Sequence, residues 1–281
     1  MNRGVRKKSF LAGPYILWMA LFIVVPLILV VVFSLTVKNG DSYQFSLANF
    51  KRMMNPLYFK VFARSIKLAV ESTFLCLVIG YPVSYIISKK PEHKRGILIM
   101  LFILPMWMNF LLRTYAWLAI LGKKGLLNNI LGLIGIKPLE LLYTNTAILL
   151  GMIYNFLPFM VLPIYTSLLK MDRDLINAAY DLGAGKVKVF TKVIFPLSLP
   201  GVVSGITMVF MPAVSTFVIS QLLGGGKQML IGNLIEQQFT TVGDWNFGSA
   251  VSIIMMILIL IAMAVTSKFS DDETKGGRVM W

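Results

Sequence analysis

Six stretches of this chain stay apolar long enough to cross a bilayer, and polar, mostly basic segments separate them. A helix rises ~1.5 Å per residue and the hydrocarbon is about 30 Å thick, so about 20 mostly apolar residues suffice. The pattern predicts spans over about 11–36, 66–88, 97–121, 144–169, 196–222 and 248–267. Pro26, Pro82, Pro105, Pro158, Pro163 and Pro212 fall inside them. Membrane helices accept proline, because neighbours satisfy the carbonyls it frees. In the segment from Lys38 to Lys67, Leu47, Phe50, Met53 and Met54 recur at helical spacing, which predicts an amphipathic helix lying in the interface. The segment from Leu126 to Leu142 resembles it, with Gly132 and Gly135 as breaks. The expected fold is an all-α integral membrane protein of six transmembrane helices, one domain over residues 1–281.

Composition agrees. Hydrophobic residues make up 57% and charged residues 14% of the chain, where soluble domains have ~45–50% and ~25%. A net charge of +15 would point to nucleic acid in a soluble protein. Here the charge lies between the spans, so topology explains it and no nucleic-acid partner is expected. With the N-terminus inside, the inner segments hold sixteen Lys and Arg and the outer ones ten. That bias predicts cytoplasmic N- and C-termini. The first apolar run, Leu11 to Leu35, follows Arg3, Arg6, Lys7 and Lys8 as in a signal peptide. It is too long for one and no small-residue cleavage site follows, so it reads as a retained anchor.

Catalytic chemistry finds little to work with. One cysteine, Cys76, and one histidine, His93, cannot assemble a metal site. Gly224-Gly225-Gly226-Lys227 looks like part of a phosphate loop, but Gln221 and Gln228 stand where that motif needs glycine and Ser or Thr. No catalytic constellation is present, so the chain is not expected to be an enzyme. Only Glu71 brings a carboxylate near a span. Arg113 lies within one, where lipid exposure is costly. It either repels cations as a gate, serves in a structural pair or snorkels to the surface.

The segment Lys170–Gly201 is the patterned one. Asp172 or Asp174 can cap a helix starting near Leu175, and Leu175, Ala178, Ala179 and Leu182 then share a shallow face. Gly183 is a natural stop. Val187, Phe190 and Ile194 stripe a second short helix, and Pro196 begins the next span. The run Asn177-Ala178-Ala179, Gly183-Ala184, Phe190, Ile194, Pro196 and Pro200-Gly201 resembles the EAA loop of ABC-importer permeases. Asn177 stands where that family usually has glutamate. The stretches NPLYFKVFARSIKLA, LPMWMNFLLRTYAW, NFLPFMVLPIYTSLLKMDRDL and LLGGGKQMLIGNLIEQQFTTVGDWNFGSAVSI are similar to B-type permeases of spermidine/putrescine importers.

The resemblance implies a type I ABC-importer permease fold in the bacterial inner membrane, multi-pass. It implies a second permease subunit, two ATPase subunits that bind the ATP and Mg, an external substrate-binding protein and a polyamine cargo. No cofactor is expected in this chain. The loop at about 170–195 would couple to the ATPase through Asn177, Ala178, Ala179, Asp181, Gly183, Ala184 and Phe190. A polycation path wants aromatic faces or acids. Trp107, Tyr115, Tyr154, Asn155 and Phe159 are candidates for its wall, with Tyr154 and Asn155 first because they sit mid-helix beside Pro158. Glu140, Glu236 and Asp244 are expected outside, to attract substrate, to contact the binding protein or merely to be solvated. An importer of another small solute keeps the same architecture. An ATP-independent secondary transporter would want ionisable residues inside the spans, and a scaffold would have no use for the patterned loop.

Overall fold

A computed structural model describes residues 13–39 and 42–276. The basic residues before Leu11, the first two positions of the first expected span and Arg278 lie outside the described residues. In lipid a chain segment must satisfy its own backbone hydrogen bonds, and helix does so locally. Helix α1 (Pro14–Ser34) leaves nearly all of its apolar side chains exposed. The segment expected to be an interfacial helix begins otherwise. Thr36–Asn39 (β1) and Ser42–Phe45 (β2) form an antiparallel hairpin, with Thr36 opposite Phe45. Only Ala48–Met53 (α2) is a short helix there. Helix α3 (Pro56–Ser88) starts ten residues before the expected span, with Pro56 in the first position, where a missing N–H costs nothing.

The third expected span is broken. Helix α4 (Glu92–Trp107) ends at an extended Met108, and α5 (Phe110–Leu121) starts afresh. The stretch Phe110–Leu133, which α5 opens, is bent by 94° from α4. Asn109 makes the break tenable, since its side-chain oxygen accepts from Leu111 N at 2.8 Å and Leu112 N at 3.4 Å. Leu126–Leu133 (α6) follows, then α7 (Asn145–Lys170), capped by Thr144. After α8 (Arg173–Asp181), a single helix α9 (Lys186–Ser215) runs through a π-helical stretch at Phe190–Ile194. The fifth span therefore begins ten residues before the expected 196. It also stops short of 222, because Thr216 is extended and Val218–Gly224 (α10) is a separate helix. Ile231–Gln237 (α11) and α12 (Trp245–Gly276) complete the chain. Helices α1, α3, α7, α9 and α12 are long and apolar enough to span, and the α4–α5 pair is the sixth candidate.

Two compact units emerge. One comprises residues up to Lys60 with Leu234–Ile257, the other Val61–Asn233 with residues from Leu258 onward. In the first, the end of α1 is tied down by two amides. Asn49 Nδ2 donates to Thr36 O at 2.9 Å, and Asn246 Nδ2 to Thr36 O at 2.8 Å and Phe33 O at 3.1 Å. Arg52 Nη1 lies 2.7 Å from Asp244 Oδ2, and its guanidinium sits 4.1 Å from the Phe247 ring centroid. Burial lowers the Arg52 pKa, but the bonds to Tyr58 and Asp244 and their charge outweigh it, so the net shift is upward.

The second unit is organised on α7 and α9. Association of helices in lipid relies on close packing, so small residues mark the contact. A Cβ on Gly201 would stand 2.7 Å from Pro163 O, and one on Gly205 2.7 Å from Met160 Sδ. Met160, Val161, Ile164 and Val209 are wholly buried. Ser84 of α3 joins this core, its hydroxyl 2.8 Å from Gly80 O and 3.0 Å from Val161 O.

Candidate functional site

The patterned loop folds as two helices at a fixed corner. Asp172 Oδ1 accepts from Asp174 N at 2.9 Å, so Asp172 is the cap and α8 begins at Arg173. At the other end Gly183 has φ +79°, Ala184 N donates to Ala179 O at 3.1 Å and Gly183 N to Tyr180 O at 2.9 Å. That pair of bonds is the Schellman closure, which needs a left-handed residue. The corner leaves an apolar face uncovered: Leu175 is 50% exposed, Leu182 88% and Val187 78%. Asn177, Ala178, Asp181 and Gly183 are exposed beside it, and Ala179 and Ala184 are half-buried.

Phe190 faces the other way. Its ring lies 5.3 Å from Tyr85, 5.8 Å from Tyr81 and 6.4 Å from Phe195, centroid to centroid. Tyr81 OH is 2.9 Å from Ser198 Oγ. Val189 and Ile194 are buried beneath this cluster. Phe190 therefore fastens the loop to α3 rather than presenting itself outward, unlike the exposed Asn177, Ala178, Asp181 and Gly183.

A groove runs along α9. One cavity of about 550 Å³ lies between α7 and α9, lined by Phe159, Thr166, Ser167 and Lys170 on one side and Gly201, Ser204 and Met208 on the other. A second, of about 330 Å³, shares Ser204 and Met208 and adds Thr207, Met263, Thr266 and Ser267. Four of the lining hydroxyls already use their protons within their own helices. Thr166 donates to Leu162 O at 2.8 Å, Ser204 to Pro200 O at 2.8 Å, Thr207 to Val203 O at 2.9 Å and Thr266 to Ala262 O at 3.0 Å. A hydroxyl has one proton and two lone pairs. Bonded so, these four side chains offer lone pairs to whatever enters the groove, which suits N–H donors, while the Ser167 hydroxyl and the Lys170 ammonium share the same lining. Ser and Thr recurring at helical spacing inside otherwise apolar spans was the available signal for them.

The residues expected to line a path are dispersed. Phe159 borders the groove. Tyr154 stacks edge-on with Trp117 at 5.4 Å, while Trp107 and Tyr115 are 78% and 52% exposed on α4 and α5. Asn155 is 2% exposed and lines neither cavity, and its Nδ2 donates to Gly151 O at 2.8 Å. Arg113 is buried, with Nε and Nη1 unpartnered among the described residues. The acids are mostly engaged. Glu140 lies 3.5 Å from Lys123, Glu71 3.8 Å from Lys67, and Glu236 accepts from Thr240 at 3.0 Å. Asp244 holds Arg52 and also caps α12, accepting from Phe247 N at 3.0 Å. Gly225 and Gly226, from the apparent phosphate-loop fragment, are left-handed residues that close α10. No cluster of three or more His, Cys, Asp or Glu able to hold a metal occurs among the described residues.

Comparison with known proteins accounts for this arrangement. The spermidine/putrescine transport system permease protein PotB of Escherichia coli K12 is 39% identical over 253 residues, covering 88% of this chain and 92% of that one. PotB of Haemophilus influenzae is 38% identical over 88% of each. Among solved structures, a bacterial ABC transporter involved in import of the acidic polysaccharide alginate matches with a TM-score of 0.79 at 14% identity, covering 95% of this chain and 98% of the other. That likeness establishes the fold of an ABC-transporter permease. Such a permease is the membrane-embedded, non-enzymatic subunit, and the ATPase is a separate chain. Residues 1–272 match the family described as binding-protein-dependent transport system inner membrane component, and the chain belongs to that family.

Proposed function

We propose that the chain is one permease half of an ATP-driven polyamine importer, with spermidine or putrescine as cargo. A second permease completes the path, two ATPase subunits carrying ATP and Mg dock on the α8 face, and an external binding protein delivers the substrate. Both termini then lie in the cytoplasm with α8. The α8 corner carries this reading: an exposed apolar face, rigidly capped, at the head of a helix that continues into the membrane. Nucleotide-driven closure of the ATPase pair moves α8, α9 transmits the motion, and the path alternates between inward and outward access. The PotB likeness supports the cargo. So do the groove hydroxyls of Thr166, Ser204, Thr207 and Thr266, whose protons are used within their helices and whose lone pairs complement ammonium groups. Asn177 docks by hydrogen bonding rather than by charge.

The test is ATP hydrolysis by the reconstituted complex of this chain, its partner permease, ATPase and binding protein, with spermidine, putrescine or neither. Polyamine stimulation that requires this chain is expected. Turnover that no polyamine alters overturns the cargo, and failure of the folded chain to bind an ATPase overturns the coupling.

A further inference from the structure

A third cavity, of about 360 Å³, lies where α3 and α7 end and α8 begins. Its charge is one-sided. Lys89, Arg95 and Arg173 line it together with Ser88 and Asn177, and no carboxylate does. None of the ion pairs among the described residues involves these three cations. Arg95 Nε is buried without a hydrogen-bond partner among the described residues. Lys89 is oriented by the Tyr85 ring, 4.2 Å from its centroid. A buried guanidinium N–H with no acceptor is costly, and three cations share one lining with no carboxylate to offset them, so the cavity is electrostatically incomplete.

The rest of the lining narrows what completes it. Leu168, Leu169 and Met171 form an apolar wall at the very end of a membrane-spanning helix. The cavity thus joins interfacial depth, an apolar side and a cationic side. A free phosphate would use only the cations. A membrane phospholipid uses both, its phosphodiester against the arginines and its glycerol and first methylenes against the leucines. Basic pockets between helices at the membrane surface are a recognised form of anionic headgroup site. The volume equals roughly a dozen waters, ample for a phosphodiester with its glycerol.

We propose that this cavity binds the phosphodiester headgroup of an anionic phospholipid, bridging Arg173 of α8 to Arg95 of α4 and Lys89 beyond α3. Binding itself does not depend on the coupling assignment. Its consequence does: the lipid braces the docking corner against the ends of the spans, so anionic lipid strengthens the response of ATP turnover to substrate.

The experiment uses the purified complex in detergent, titrated with phosphatidylglycerol, phosphatidylcholine or inorganic phosphate, with bound molecules counted by native mass spectrometry. Arg95→Gln and Arg173→Gln are tested singly and together. Phosphatidylglycerol is expected to bind in preference to phosphatidylcholine, and the double variant to weaken it at least tenfold while still copurifying with the ATPase. If the double variant fails to assemble, Arg95→Gln alone, which leaves α8 untouched, should weaken binding severalfold. Unchanged phosphatidylglycerol binding in the variants overturns the site. So does displacement of the lipid by millimolar inorganic phosphate, which would make it a free-phosphate site. Binding that appears only after the ATPase is removed also overturns it, since a carboxylate of the ATPase would then be the occupant. Polyamine-stimulated turnover in purely zwitterionic nanodiscs is measured alongside, so a failed lipid site is distinguishable from a failed importer reading.

Discussion

Asp244 shows how much one side chain can hold. It caps α12, pairs with Arg52 and thereby keeps that guanidinium over Phe247. Asp244→Ala should cost about 1–2 kcal/mol from cap and ion pair together. Asp244→Asn keeps an acceptor for the cap and should cost less. Thermal unfolding of the two purified variants checks this, and equal losses would put the energy in the charge alone. Gly183 is the other decisive residue. Nothing lies within 4 Å of a Cβ built there, so only its φ of +79° resists substitution. Gly183→Leu should strain the corner by about 1–2 kcal/mol and reduce ATPase copurification, whereas Gly183→Asn, tolerant of the left-handed region, should retain it. If both variants copurify normally, the α8 corner is not the docking element.

Among the elements, α7 stands closest to its expected limits, 144–169 against Asn145–Lys170, because a long apolar run bounded by a threonine cap leaves little ambiguity. The α4–α5 break was harder to see. Hydropathy averages across Met108-Asn109, and Asn109 is one polar residue whose capping role depends on backbone geometry. The start of α9 differs for the opposite reason: Lys186, Lys188 and Lys192 set its first turns apart from the apolar run, so the pattern predicts a separate short helix before Pro196, whereas Val189 and Ile194 are buried and the helix continues unbroken into the span. The helix α8 and its stop were legible from an aspartate, two alanines and a glycine in order. The groove hydroxyls carry only the weak signal of their helical spacing, since a single Ser or Thr bonded to its own helix looks, in sequence, like any other. Neither does sequence tell which glycines are contacts. Gly205→Leu should abolish folded protein by wedging α9 off Met160, while Gly96→Ala, with open space around it, should leave folded yield unchanged. Size-exclusion profiles of the two variants test the difference.

For the molecule as a whole, the groove makes the cargo's charge testable. Thr207→Lys would set a cation among the acceptors, and uptake of spermidine should fall at least about tenfold, ~1.4 kcal/mol, with assembly intact. Undiminished uptake would place the path elsewhere. The unbroken helix from Lys186 to Ser215 has a mechanical side. The rings of Tyr81 and Tyr85 grip it at Phe190 and Phe195, roughly a fifth of the way along. At ~1.5 Å per residue, about 10 Å of helix lies on the loop side of the middle of that grip and about 34 Å beyond it. Pivoting there acts as a lever with unequal arms: a push of one ångström on the short arm sweeps the far tip through roughly three. A modest stroke at the base thus becomes a wide one at the opposite end, and loosening the fulcrum by Phe190→Ala should leave the stroke intact but let it slip before it reaches the tip.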